Sequence, residues 1–215
     1  MRSFFWKLAV VAIATMTLTA SRAEATSIVY YLDQSATGPV GIGGKVTLDD
    51  TISGADTVNV SVELTSGYGF VKTGAGDALA FNIVGDPSIT ITNITGGFDI
   101  GPTNVSESPF GTFNYSVSCT TGCGNGGSHP NLGPLSFDVK LTGITVYQFV
   151  GDNLGFYFAS DLIGPGANGR PATGNMAAIG GGDTTQIAAV PEPASLTLLG
   201  SGLICVAQRL RRRRS

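Results

Sequence analysis

Two cysteines lie four positions apart in a glycine-rich segment and could form a disulfide. Cys119 and Cys123 occur in the sequence Ser-Cys-Thr-Thr-Gly-Cys-Gly-Asn-Gly-Gly. In an oxidising compartment this pair would close a small loop, which stabilises a fold by about 2 kcal/mol through the entropy of the unfolded chain. A zinc site needs more ligands, and His129 would supply only a third. The spacing therefore favours a disulfide, with zinc or free thiols as the alternatives.

The single histidine offers little basis for nucleophilic catalysis. His129 precedes Pro130 in a loop rich in glycine and asparagine, and a Ser-His-Asp triad would have to use it. The chain contains no Gly-x-Ser-x-Gly sequence, which presents the nucleophilic serine in many hydrolases. We therefore expect an exposed loop histidine, and we predict no catalytic residues.

Acidic side chains are scattered along the chain, often beside glycine or asparagine, as in Asp49-Asp50 and Gly151-Asp152-Asn153. Oxygen-rich loops can bind Ca²⁺, but no spacing here matches an EF-hand or a Gly-Gly-x-Gly-x-Asp repeat. Turn formation explains such residues equally well. We therefore expect no metal site and no cofactor, with one Ca²⁺ left open. A polysaccharide hydrolase with paired carboxylates is a remote alternative, because a sequence does not show how far apart two carboxylates lie.

Two tyrosines, Tyr68 and Tyr157, could stack on sugar rings if their side chains are exposed. Most other aromatic residues alternate with polar ones and are expected in the core. A flat, threonine-rich face would instead favour ice. Two classes of non-enzymatic function are therefore expected. The first is a structural or adhesive role, and the main alternative is a surface module that binds carbohydrate, ice or Ca²⁺.

The C-terminal segment combines a proline-bracketed acid, an apolar stretch and a basic cluster. Pro191 and Pro193 flank Glu192, and each proline favours an extended preceding residue, so the motif is a stiff handle that an enzyme could bind. Residues 194–207 are apolar and predict a short transmembrane helix, since a stable span needs about 20 residues. The positive-inside rule keeps the basic cluster in the cytoplasm. That cluster consists of Arg209, Arg211, Arg212, Arg213 and Arg214.

The order Val-Pro-Glu-Pro-Ala-Ser, apolar helix and arginine cluster resembles the PEP-CTERM sorting domain of Gram-negative bacteria, over roughly residues 190–214. The resemblance implies that an exosortase, a membrane-embedded cysteine transpeptidase-like enzyme, recognises Pro191, Glu192 and Pro193 and cleaves nearby. The body would be anchored transiently in the inner membrane and then reach the cell surface or the extracellular matrix. A permanent tail anchor with an accidental Pro-Glu-Pro is the alternative.

The N-terminal residues are typical of a secretory signal peptide. Arg2 and Lys7 precede an uncharged apolar stretch at residues 8–20, which predicts a signal helix. Two small-x-small sites follow, Ser-Arg-Ala at residues 21–23 and Ala-Glu-Ala at residues 23–25. We therefore expect cleavage after Ala25 or Ala23. An uncleaved membrane anchor is the alternative, although the apolar stretch is short for a span.

Charge is segregated between the ends and the middle of the chain. Residues 26–189 contain 4 basic and 13 acidic side chains, a balance of −9, while most basic residues lie near the two ends. A body this acidic is repelled by nucleic acid and by anionic lipid. We therefore expect no nucleic-acid partner and assign the basic ends to targeting.

Between the ends, apolar and polar residues alternate with the period of two that indicates β-strands. Residues 58–64 and 137–141 show this most clearly, and residues 144–150 and 156–162 look like more fully buried strands. About nine to eleven short strands with Gly-rich turns favour an all-β, antiparallel β-sandwich of jelly-roll or immunoglobulin-like type.

The predicted organisation has four parts. Residues 1–25 form a signal peptide, residues 26–163 a β-sandwich body, residues 164–189 a Gly/Ala-rich loop and linker, and residues 190–215 the sorting and membrane segment. Together these parts predict a non-enzymatic exported protein of the cell surface or extracellular matrix. Its expected partners are an exosortase, transiently the inner membrane, and extracellular polysaccharide as a further candidate.

Overall fold

A computed structural model describes residues 26–35, 37–73, 76–124 and 127–180, together with the backbone of residues 183–186. These residues form sixteen strands and a 3-10 helix at Val146–Gln148. The strands are β1 Thr26–Tyr31, β2 Gln34–Ser35, β3 Gly44–Asp49, β4 Thr57–Leu64, β5 Gly69–Phe70, β6 Leu79–Ile83, β7 Thr90–Thr92, β8 Phe98–Ile100, β9 Val105–Ser106, β10 Thr112–Phe113, β11 Tyr115–Cys119, β12 Leu135–Lys140, β13 Phe149–Val150, β14 Phe156–Pro165, β15 Pro171–Ile179 and β16 Asp183–Gln186.

The strands form two large sheets and one small hairpin. A six-stranded sheet has the order β16-β1-β3-β4-β12-β7. An eight-stranded sheet follows β2-β15-β14-β6-β11-β8, with β13 beside β6 and β5 beside β14. Strands β9 and β10 pair only with each other. Neighbouring strands in both large sheets run antiparallel, as in the pairing of β3 with β4, which confirms the predicted all-β antiparallel class.

Strand β4 shows how the sequence pattern produces the sheet. Val58, Val60 and Val62 are fully buried, whereas Asn59 and Ser61 between them are only half-buried. Successive side chains of a strand point to opposite faces, so one face is apolar and the other polar. The β-branched valines also suit the extended backbone.

Side chains from the two large sheets meet in one apolar core. The ring of Phe81 on β6 lies 5.8 Å from that of Phe137 on β12. Tyr30 on β1 makes an edge-on contact with Phe158 on β14, at 5.1 Å between ring centroids. The finer prediction of a jelly-roll or immunoglobulin-like sandwich stays a prediction.

A second apolar cluster lies beneath the β9–β10 hairpin. Val105, Phe110 and Phe113 of the hairpin pack against Ala80 and Ala159 of the eight-stranded sheet. These two alanines neighbour residues of the main core in sequence and therefore point to the opposite face of the sheet. The hairpin thus covers part of that face.

The predicted Gly/Ala-rich loop and linker at residues 164–189 is wrong where the structure describes strands. Strand β14 reaches Pro165, β15 occupies Pro171–Ile179, and β16 pairs with β1 up to Gln186. The small residues here serve close packing, since Ala177 and Ala178 are fully buried and a Cβ on Gly174 would lie 2.6 Å from the carbonyl oxygen of Thr37. Gly/Ala composition alone does not distinguish such packing from a flexible linker.

The predicted continuous strand at residues 144–150 is also wrong. The chain makes a 3-10 turn at Val146–Gln148 and then the two-residue strand β13. The amide N–H of Thr145 donates to Gln148 Oε1 at 3.1 Å, and the Gln148 N–H donates back to the Thr145 carbonyl. This local capping arrangement competes with a strand for the same backbone groups.

Within the described residues, no helix has the length and apolar character needed to cross a membrane. The predicted signal helix at residues 1–25 and the predicted sorting and membrane segment at residues 190–215 lie outside those residues.

Candidate functional site

The predicted sorting residues lie beyond the last described strand. Strand β16 ends at Gln186, and the motif Pro191, Glu192 and Pro193 follows after four residues. The motif and the arginines at positions 209 and 211–214 lie outside the described residues.

The two body cysteines are joined in the structure. Cys119 ends β11 and forms a disulfide with Cys123, with 6.0 Å between the Cα atoms. Inside the small loop, the Thr121 carbonyl accepts a hydrogen bond of 3.0 Å from Asn131 Nδ2. The crosslink therefore closes a turn that is also tied to the segment before β12.

His129 is exposed, and its ring lies close to a serine hydroxyl. Its Nδ1 lies 3.3 Å from Ser128 Oγ, which is the adjacent residue. Nowhere in the described parts of the chain are three or more His, Cys, Asp or Glu side chains arranged to hold a metal ion. The expectation that the protein needs no cofactor stays a prediction.

The two tyrosines proposed for sugar stacking are largely occupied by the protein itself. Tyr68 is buried, its hydroxyl donates to the carbonyl of Val40, and burial raises its pKa. Tyr157 stacks on Tyr30 with ring centroids 5.1 Å apart, which covers one of its faces. The sugar-stacking hypothesis is therefore wrong for Tyr68. At Tyr157, the ring face that stacks on Tyr30 is not accessible to a sugar.

Three carboxyl groups converge where the β9–β10 hairpin meets the eight-stranded sheet. Glu107 lies in the hairpin and is completely buried, as is Asp161 of β14, while Asp77 just before β6 is 4 % exposed. Carboxylates are rarely buried unless they are paired with a cation, hydrogen-bonded or neutralised.

Hydrogen bonds hold two of these carboxyl groups in place. The backbone N–H of Asp77 donates to Glu107 Oε1 at 2.9 Å. The Ser118 hydroxyl on β11 donates to Asp77 Oδ1, so Asp77 joins the hairpin to the sheet. Glu107 Oε2 is buried, and none of the residues that the structure describes forms a hydrogen bond with it.

Asp161 orders the segment that precedes Asp77. The Thr73 hydroxyl lies 2.7 Å from each Asp161 carboxylate oxygen, and the Thr73 backbone N–H also donates to this carboxylate. The Asp161 backbone N–H donates to the Asp77 carbonyl at 2.9 Å. A Cβ on Gly76 would lie 2.6 Å from the Asp161 Cβ. There is no space for a side chain at this position, so a glycine is needed.

Burial dominates the electrostatics of this cluster. It raises the pKa of Glu107 to about 8, opposed by the hydrogen bond from the Asp77 N–H and assisted by the charges of Asp77 and Asp161. Burial also raises the pKa of Asp161, against the hydrogen bonds from Thr73. Glu107 is therefore largely protonated at neutral pH, so one of the three buried carboxyl groups is uncharged.

A different polar network lies on the other sheet, around Asp138 of β12. Asp138 Oδ1 accepts from Asn59 Nδ2 at 2.9 Å and from Ser53 Oγ at 3.3 Å, and Oδ2 accepts from Asn93 Nδ2 at 2.7 Å. Burial alone would raise the pKa of Asp138, but these hydrogen bonds and the charge of Lys140 lower it. The network fastens β4 and the segment after β7 to β12.

The alternation of β12 placed Asp138 opposite the apolar core face, but nothing in the sequence singled out Glu107 or Asp161. Glu107 stands in an aperiodic Ser-Glu-Ser-Pro loop, and Asp161 is the lone acid of a long apolar strand. An isolated acid within such a strand is the one signal that could have drawn attention to Asp161.

Residues 189–213 match the family model of the PEP-CTERM protein-sorting motif. No curated protein and no solved structure matches the chain. The match confirms the predicted motif and supports an exported protein that an exosortase sorts at the membrane of a Gram-negative bacterium. A β-rich body therefore precedes a segment, residues 189–213, that matches the PEP-CTERM protein-sorting motif.

Proposed function

We propose that the chain is a non-enzymatic, exported β-module that an exosortase cleaves near its Pro-Glu-Pro motif. The C-terminal segment holds the body at the inner membrane until cleavage, and the body then joins the cell surface or the extracellular matrix, where polysaccharide is its candidate partner. The PEP-CTERM match at residues 189–213 carries this proposal.

The position of the last described strand supports release of the body by cleavage near the Pro-Glu-Pro motif. Strand β16 ends at Gln186 and pairs with β1, so a cut at or beyond residue 189 keeps every described strand in the product. The released body would therefore retain both large sheets and their common core, for which we propose the sandwich arrangement.

The chemistry of the body supports a structural or adhesive role. Glu107 and Asp161 have no exposed surface, so their carboxyl groups do not face a solute. A glycoside hydrolase needs two carboxyl groups that flank the bond to be cleaved. Hydrolysis of a matrix polysaccharide by the released body would contradict the non-enzymatic part of the proposal.

The sorting step is tested by expressing the full chain in a bacterium with its exosortase present or deleted. We expect a product that lacks the arginine cluster in the first strain, and a full-length, membrane-associated chain in the second. Glu192→Ala should slow processing, while Glu63→Ala, on the exposed end of β4, should not. Mass spectrometry of the C-terminus, combined with cell fractionation, gives the readout. A cell-surface protein that still ends in Arg214-Ser215 would overturn the proposal.

A further inference from the structure

Strand β1 begins at a residue whose nitrogen is held by a carboxylate. The Thr26 N–H donates to Asp50 Oδ1 at 2.7 Å, and the Asp50 N–H donates to the Thr26 carbonyl at 3.3 Å. Thr26 is 1 % exposed, and Asp50 is half-buried. Two hydrogen bonds therefore join the start of β1 to the residue after β3. In one of them the acceptor is the Asp50 carboxylate.

Negative charge is concentrated at this corner of the six-stranded sheet. Asp49 lies opposite Ser27 in the β1–β3 register, directly beside Asp50. Among the residues that the structure describes, the one ion pair joins Lys45 and Glu63, so no basic side chain is placed on Asp50. A positive group at the Thr26 nitrogen would meet the carboxylate of Asp50.

We propose that signal cleavage occurs between Ala25 and Thr26, and that Asp50 then binds the α-ammonium group of Thr26. The inference rests on the export proposed above. A signal-peptidase-class protease would add water across this peptide bond, so that Ala25 leaves with a carboxylate and the Thr26 nitrogen becomes an ammonium group. The existing hydrogen bond to Asp50 then becomes an ion pair.

The competing site after Ala23 fits this corner less well. It would leave Glu24 and Ala25 ahead of β1, and would put the ammonium group about 7 Å further along an extended chain. It would also keep the acidic residue Glu24 in the mature chain, two residues before Thr26. Cleavage after Ala25 removes this acid and supplies a cation to Asp50.

The cleavage position is tested on the full chain expressed in an exosortase-containing bacterium, by mass spectrometry of the N-terminus of the exported protein. We expect the mature chain to begin at Thr26. An exported chain that begins at Glu24 would overturn this inference alone. A chain that retains Met1 and stays in the cytoplasm would overturn the proposed export as well.

The role of Asp50 is tested on the exported protein by comparing Asp50→Asn with Asp99→Asn, an exposed acid on β8. An α-amino group ordinarily has a pKa of about 7.7–8.0, and a paired carboxylate raises it. The stabilisation is thus complete below that range and is lost as the pH rises through the folded value. We expect the melting temperature of the wild type and Asp99→Asn to fall further between pH 7 and 9.5 than that of Asp50→Asn. Equal falls in all three proteins would overturn the ion pair.

Discussion

The backbone N–H of Asp77 donates to Glu107 Oε1 at 2.9 Å, while the buried Glu107 Oε2 accepts no hydrogen bond from the described part of the chain. Only one of the two oxygens of the Glu107 carboxyl group therefore accepts a hydrogen bond from the described residues. This group lies next to two further acids, Asp77 and Asp161. Asp152 is a further acid beside the hairpin: its Oδ2 would lie 1.8 Å from a Cβ on Gly111, and no donor among the described residues forms a hydrogen bond with this buried atom.

Glu107→Gln should stabilise the protein at neutral and alkaline pH. The folded pKa of Glu107, about 8, lies above the ordinary 4.5, so the folded state holds a proton that the unfolded chain has lost. Retention of this proton by the folded state makes the wild type less stable as pH rises from about 4.5 to about 8. The free energy of unfolding falls by at most about 1.4 kcal/mol per pH unit. Urea unfolding between pH 4.5 and 9 measures it, with the exposed Glu63→Gln as control. A wild type whose stability rises over this range while Glu107→Gln follows the same curve would contradict the prediction.

Asp138→Asn should reduce the sensitivity of the fold to acid. The pKa of Asp138 is lowered in the folded state, so its stabilisation is present above the ordinary value of 3.8 and is lost as pH falls through the folded value. Asp138→Ala should cost about 1–3 kcal/mol at neutral pH, because Asn59 and Asn93 lose a charged acceptor. Unfolding midpoints at pH 7 and at pH 2–4 provide the comparison. A wild type and Asp138→Asn with identical acid profiles would refute this role.

Phe81→Ala should destabilise the body by about 3–5 kcal/mol, the usual range for a buried phenylalanine. Its ring lies 5.5 Å from that of Tyr115, 5.6 Å from Phe149 and 5.8 Å from Phe137, and therefore joins both sheets. The matched control is Tyr147→Ala, because Tyr147 is 60 % exposed and should change stability by less than about 0.5 kcal/mol. Chemical denaturation measures both values. Similar losses for the two variants would contradict a core shared by the sheets.

Removing the Cys119–Cys123 crosslink by the double substitution Cys119→Ser and Cys123→Ser should cost about 2 kcal/mol, since the closed loop is small. Reduction of the wild type should produce a comparable loss, because both treatments free the same loop. Thermal unfolding with and without reductant measures the effect, and the double variant should not respond to reductant. Equal stability of the oxidised and reduced wild type would show that the crosslink does not stabilise the fold.

Strand positions followed from the sequence where one face of a strand is polar. The alternating valines of β4 and the pattern around Phe137 on β12 predicted both strands within a few residues. The prediction failed at β15, where small residues such as Ala177 and Gly174 are buried or closely approached by other strands. It failed there because alanine and glycine are common both in linkers and where two backbones pack closely.

The sequence by itself determined the sorting motif, the acidic charge of the body and its β class. Each of these depends on local order or on composition: a proline-bracketed glutamate, a count of charges, and a period of two along a strand. Only the tertiary structure decided that Glu107 is buried against Asp77, and that the Thr26 nitrogen meets Asp50. These pairs are 30 and 24 residues apart in sequence, and folding brings them together through strand pairing and burial, which no local pattern encodes.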